Sequence, residues 1–143
     1  MKYLVVVQGT QADYEGMRGR ATPHAPVWSE DDLKSMYAYM GAINAELAET
    51  GELIDAQGLA EPARIRLVTR GAQGRTVIVD DPYDVVEVLP AGYWVLDCAS
   101  LERVTEIAER VTRCPAPDGV PDLPVVIRPL LDGADDIQTT PDR

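Results

Sequence analysis

The stretch Val77-Ile-Val-Asp-Asp-Pro-Tyr-Asp-Val-Val-Glu-Val-Leu-Pro-Ala-Gly-Tyr-Trp-Val-Leu-Asp97 reads as a strand, a Pro-containing turn, an apolar connector and a glycine that opens a second strand. Working back from it, residues 63–69 and 75–79 flank Arg70-Gly-Ala-Gln-Gly74, a hairpin-like turn. Arg64 and Arg66 alternate there with Ile65 and Leu67, so one strand face is cationic and the other apolar. Working forward, residues 93–99 form a buried strand. Ser100 then caps a helix with Leu101, Val104, Ile107, Ala108 and Val111 on its apolar stripe.

The same reading extends to both ends. Residues 2–8 are an apolar first strand ending at Gly9. Residues 10–28, with Gly16, Gly19, Pro23 and Pro26, read as a long polar loop, and a loop of that length is mobile or functional. Ser29 caps the next helix, with Asp31 and Asp32 at the positive end of its dipole. Its apolar positions run Leu33, Met36, Tyr37, Met40, Ile43 and Leu47, interrupted by Asn44, and Gly51 ends it. Residues 52–59 give a second strand, 114–124 a Pro-rich linker and 125–131 the last strand. Residues 132–143 are polar and acidic without periodicity, the pattern of a disordered tail on a single domain of residues 1–131.

The resulting order is β-α-β-β-β-β-α-β. Two β-α-β crossovers separated by a hairpin predict an α+β, ferredoxin-like fold, an antiparallel sheet with two helices on one face. Two helices leave the other face uncovered. A second copy of the chain is the simplest cover, so a homodimer is expected.

The net charge of −11 over 143 residues argues against nucleic acid and against an anionic membrane surface. Solubility is the plain reading of that charge, an acidic docking face the sharper one. No apolar run approaches the roughly 18 residues of a membrane span. Phe is absent, so Val, Leu, Ile, Tyr and Trp fill the core. Cys98 and Cys114 lack metal-ligand spacing. They read as a packed core thiol and a post-helix thiol of a reduced, cytoplasmic protein, with a mutual disulfide as the alternative. No phosphate loop, HExxH, GxSxG or CxxC motif occurs, and no cofactor or metal is expected.

His24, the sole histidine, sits in Thr-Pro-His-Ala-Pro. It is an exposed loop residue on the plain reading and a general acid or base on the sharper one. Asp55 reads as structural, or as a second acid–base group. Asp80 and Asp81 before Pro82 and Tyr83 read as a turn. Arg64 and Arg66 pair with acids, or capture an anionic ligand. Asn44 needs a partner if buried, either a backbone group or a ligand. Tyr37, Tyr93 and Trp94 are core or interface residues before they are ligand stackers.

These residues resemble the YCII-related family, in particular its DGPF branch. That branch carries Asp-Gly-Pro-Phe-Ala-Glu-Thr-Lys-Glu, then Gly-Gly-Tyr and a strand ending in Asp. Here the run is Asp80-Asp-Pro-Tyr-Asp-Val-Val-Glu-Val88, followed by Ala91-Gly-Tyr-Trp-Val-Leu-Asp97, with the Pro82-to-Tyr93 spacing kept. The opening Met1-Lys-Tyr-Leu-Val-Val-Val7, Asn44-Ala-Glu-Leu47 and Val126-Ile-Arg-Pro-Leu130 are also similar. The resemblance implies a dimeric α+β barrel. It places Asp80 and Tyr83 at the mouth of a helix–sheet cleft, with Asn44, Asp55 and Tyr93 nearby. Some YCII-like proteins carry a His–Asp pair, and one relative is a dehydrochlorinase. Here Met40 falls near the family's His position, and Val85, Glu87 and Val88 replace the motif's Glu, Lys and Glu. The expectation is a homodimer binding a small organic molecule. The alternatives are a cofactor-free lyase or isomerase using His24 or Asp55, and a regulatory interaction module.

Overall fold

Alternation along the first strand sets the orientation of the sheet. The structure, a computed structural model, describes residues 1–132; the expected acidic tail lies almost wholly outside them. In β1 (Lys2–Gly9) Tyr3 and Val5 are buried, while Leu4 and Val6 stay half-exposed. α1 (Gln11–Met17) and α2 (Glu30–Thr50) follow, then β2 (Leu53–Gly58), β3 (Arg66–Arg70), β4 (Thr76–Asp80) and β5 (Leu89–Asp97). α3 (Leu101–Thr112) and β6 (Val126–Pro129) complete the described chain. The protein is α+β, and the six expected strands all form.

Four strands make one antiparallel sheet in the order β2-β5-β1-β6. The register places Tyr3 beside Leu96 and Val5 beside Trp94. Those four side chains and Cys98 meet Ile43 and Leu47 of α2 and Val104, Ile107 and Val111 of α3. Both long helices therefore pack on one sheet face. Burying a side chain of this size removes about 1.5–3 kcal/mol of apolar hydration cost, so this cluster holds the layers together. Tyr39 Oη donates to the Arg110 carbonyl at 2.7 Å and ties α2 to α3.

The cap residues act as expected. Ser29 and Asp32 form a reciprocal capping box, Gly51 closes α2 at φ 78°, and Ser100 Oγ accepts from Arg103 N at 3.1 Å. β5 starts at Leu89, four residues before the expected Tyr93. Pro90 is accommodated because the β1–β5 register shifts between Val7 and Gln8. β3 starts at Arg66, because Pro62–Arg64 is a 3₁₀ turn. β3 and β4 form a separate two-stranded ribbon whose Val68, Val77, Ile78 and Val79 are exposed.

The expected 10–28 loop needs correction, because its first part is α1. Thr10 Oγ1 accepts from Asp13 N and Asp13 Oδ2 accepts from Thr10 N, a capping box with Asp in the Glu position. Gly16, which reads as a loop residue, is required inside this helix. A Cβ there would lie 2.1 Å from the Pro26 carbonyl oxygen.

At the far end of the sheet Arg103 grips Glu52 through Nε at 2.9 Å and Nη2 at 2.8 Å, and Thr50 Oγ1 adds a bond at 2.8 Å. This hydrogen bonding holds the Glu52 carboxyl at about 2, against its ordinary 4.5. Burial first, and Glu52 second, push the neighbouring Cys98 thiol up to about 11, so it stays protonated and inert. Because Glu52 is depressed on folding, its contribution is complete above its unfolded pKa of 4.5 and drains away as pH falls toward 2. Glu52→Gln is expected to cost about 2 kcal/mol at neutral pH, since it leaves a three-quarters-buried guanidinium with only the longer contact to the exposed Glu106 carboxylate. Urea titrations at pH 7 and pH 3 check this. Equal losses for wild type and variant between those two values would contradict it.

Candidate functional site

α2 is long, yet only Ile43 and Leu47 of its residues are buried. Its first three turns stand over one end of the sheet without closing on it. The apolar stripe of Leu33, Met36 and Met40 continues there and lines a cleft of about 660 Å³. The opposite wall is Val7, Ala56, Gly58, Gly92 and Trp94, from the ends of β1, β2 and β5. Tyr14 and Met17 of α1, with Trp28, cover the remaining side. A second depression of about 590 Å³ shares Val7, Gln8, Asp13, Met40 and Val120 and runs under the linker at 114–125.

α1 is held over the cleft by a polar set. The buried Gln11 side chain donates to Glu15 and Glu61, both at 2.9 Å, and accepts from Ala63 N at 2.8 Å. Arg18 pairs with Glu61 and Glu15. The Arg18 hydrogen bond, seconded by Gln11, holds the Glu61 carboxyl below its ordinary range. Tyr14 Oη reaches the carbonyls of Leu59 at 2.8 Å and Ala91 at 3.2 Å. Burial, then Glu61, raises its pKa, so the phenol keeps its proton and remains a donor.

The polar groups in the cleft itself are few. Trp94 Nε1 donates to Asn44 Oδ1 at 2.7 Å. Gln8 Nε2 is spent on the Pro124 carbonyl at 2.9 Å. Neither histidine nor cysteine lines the cleft. Among the described residues no His, Cys, Asp and Glu cluster could hold a metal.

Of the residues singled out from sequence, Asn44 lines the cleft; Tyr93 borders it from β5, between Gly92 and Trp94, with its side chain on the sheet's other face beside Val6. Asp55 is exposed on β2 and accepts from Tyr93 Oη at 3.2 Å on the sheet face turned away from α2, outside the cleft lining. His24 is exposed beyond the lining, with its backbone N–H on Thr22 Oγ1 at 3.3 Å. Asp80 is also away from the lining. It takes Arg66 in a two-pronged grip, at 2.6 and 3.1 Å, across the β3–β4 ribbon. That bond lowers the Asp80 pKa and raises that of Arg66. Arg64 lies in the 3₁₀ turn rather than on a strand, yet the exposed Arg64 and Arg66 still alternate with half-buried Ile65 and Leu67.

Tyr83 is half-buried in the turn after β4, outside the cleft lining. That turn meets α1 where Ala12 N donates to the Val85 carbonyl at 3.0 Å. The aspartate pair does form a turn, with Asp81 in the left-handed region at φ 49° and its N–H on the Ile65 carbonyl at 3.0 Å. Sequence reading missed Met17, Trp28, Met36 and Met40 as site residues. The available signal was an apolar stripe on α2 longer than its packing partners require.

No family model matches the chain. It is similar to an uncharacterized protein of Rhizobium meliloti (strain 1021), 25% identical over 81 residues, which is 57% of this chain. The matched segment covers 64% of that relative's length.

Proposed function

We propose that the protein binds a small organic molecule in the cleft beneath the first half of α2, as a homodimer of ferredoxin-like protomers. The observation that carries this is the wall itself. Three methionines, two tryptophans and tyrosines surround about 660 Å³, within the size range of ordinary ligand sites and with few polar groups. Met side chains adapt to varied apolar shapes. The order β2-β5-β1-β6, with long helices following β1 and β5, supports a ferredoxin-like reading. So does the resemblance to the DGPF branch, whose motif glycine coincides with the left-handed Asp81.

Leu4, Val6, Tyr93 and Val95 remain half-exposed on the sheet's second face, beside the exposed Val126, and support pairing through that face. The two unpaired thiols accord with a reduced cytoplasmic setting. The described residues contain no helix long and apolar enough to cross a membrane. Acid–base catalysis has less support, because His24 and Asp55 are not brought together in the cleft.

The test uses N-phenyl-1-naphthylamine, a neutral dye that fluoresces in apolar sites. Saturable binding at one dye per protomer is expected, with at least a tenfold loss in Met36→Trp, whose indole fills the cleft. Absent saturation, or unchanged binding in a folded Met36→Trp, refutes the site. Light scattering on the same samples is expected to give twice 15.6 kDa. A stable monomer removes the pairing.

A further inference from the structure

Given the reading of the cleft as a small-molecule site, we infer that its ligand is a flat, uncharged molecule carrying a carbonyl oxygen, oriented by the side-chain amide of Asn44. An indole nitrogen can only donate a hydrogen bond. The 2.7 Å contact from Trp94 Nε1 therefore fixes which end of the Asn44 amide faces the sheet: Oδ1 does. Nδ2, with two N–H groups, is left over, and among the described residues it has no partner. Asn44 stands on the apolar stripe of α2, half-buried and in the cleft wall. Water can satisfy the amide while the cleft is open. An entering apolar ligand displaces that water, and a donor left without an acceptor then opposes binding. A ligand oxygen aimed at Nδ2 removes the opposition.

Charge narrows the class. The guanidinium in the wall, Arg18, is held by Glu61 and Glu15, and no lysine or histidine lines the cleft. A carboxylate or phosphate would enter without a free cation, next to Asp13, in a chain of net charge −11. Uncharged acceptors such as ketones, aldehydes, amides and quinones meet no such obstacle. Shape follows from the walls. Trp28, Trp94, Tyr37, Met36 and Met40 offer ring faces and thioethers that pack well against a planar ring system.

The test compares two probes of one shape, 2-acetylnaphthalene and 2-ethylnaphthalene, as competitors of N-phenyl-1-naphthylamine. The ketone is expected to displace the dye at about one-tenth the concentration of the hydrocarbon. In Asn44→Asp the carboxylate still accepts from Trp94 but presents oxygens where the amide presented N–H groups. The preference is expected to vanish or invert there. Equal potency in the wild type, or a preference that survives in Asn44→Asp, overturns the assignment while leaving the cleft a binding site. Failure of both probes to displace a saturably bound dye also overturns the assignment, whereas absence of saturable dye binding overturns the cleft reading itself. Should Asn44→Asp not fold, the infrared band of a carbon-13-labelled ketone bound to the wild type decides. A shift below its position in alkane supports the hydrogen bond, and an unshifted band overturns it.

Discussion

Gly16→Ala is expected to weaken dye binding in the cleft at least tenfold and to cost about 2 kcal/mol of stability. Helix propensity alone gives the opposite sign, since alanine is better than glycine inside a helix by about 1 kcal/mol. The local geometry decides against propensity. A Cβ on Gly16 would sit 2.1 Å from the Pro26 carbonyl oxygen and 3.2 Å from its carbon, and these are backbone atoms that no rotamer change can move. Segment 26–28 must then leave α1, breaking the 2.9 Å bond from Trp28 N to the Gly16 carbonyl. Trp28 departs with it, and the cleft loses a wall.

Gly41→Ala is the control. It is also helical, lies on α2, and has nothing within 4 Å of its added Cβ. It is expected to stabilise by about 0.5–1 kcal/mol and to leave binding unchanged. Urea midpoints and dye titrations of the two variants, run side by side, check the pair. A Gly16→Ala protein as stable and as tight-binding as Gly41→Ala would show that α1 and segment 26–28 do not form this wall.

What could be read in the sequence divides along the same line between local and distant information. Ser29, Gly51 and Ser100 mark helix ends through bonds within four residues of themselves, and such signals are visible in a linear chain. The alternation of Tyr3, Val5 and Val7 is equally local. α1 escaped notice because its box ends in Asp13 rather than Glu and because Gly16 looks like a breaker. The reason for that glycine lies ten residues away, in Pro26. The site was harder still. Asn44 was recognisable as a polar residue on an apolar face, but its partner is Trp94, 50 positions on. Residue type left Arg66 open between pairing with an acid and capturing an anionic ligand; it pairs, and its partner Asp80 lies across a ribbon that spacing alone does not reveal. Pairings set by sheet register do not appear in spacing or composition, and such pairings separate a binding group from a structural one.

The sharpest division between core and cleft runs along α2 itself, and Leu47→Ala is expected to expose it with a loss of about 3 kcal/mol. Leu47 is fully buried with Ile43 against Trp94 and Leu96. These two side chains anchor the sheet-facing half of a 21-residue helix. Truncating one leaves a cavity whose walls belong to three elements and can relax only partly, so the cavity cost adds to the lost transfer energy. Met36, about three turns earlier on the same stripe, faces the cleft rather than the core. Met36→Ala removes a side chain of similar size but is expected to cost under about 1 kcal/mol, because water already reaches it. Dye affinity should show the reverse order relative to stability, with Met36→Ala losing contact directly and Leu47→Ala retaining its cleft contacts while folded. Urea unfolding and dye titration of both variants measure the two rankings. Equal stability losses at the two positions would mean that the first half of α2 is packed as core, and that the cleft is not the open site from which ligand binding is inferred.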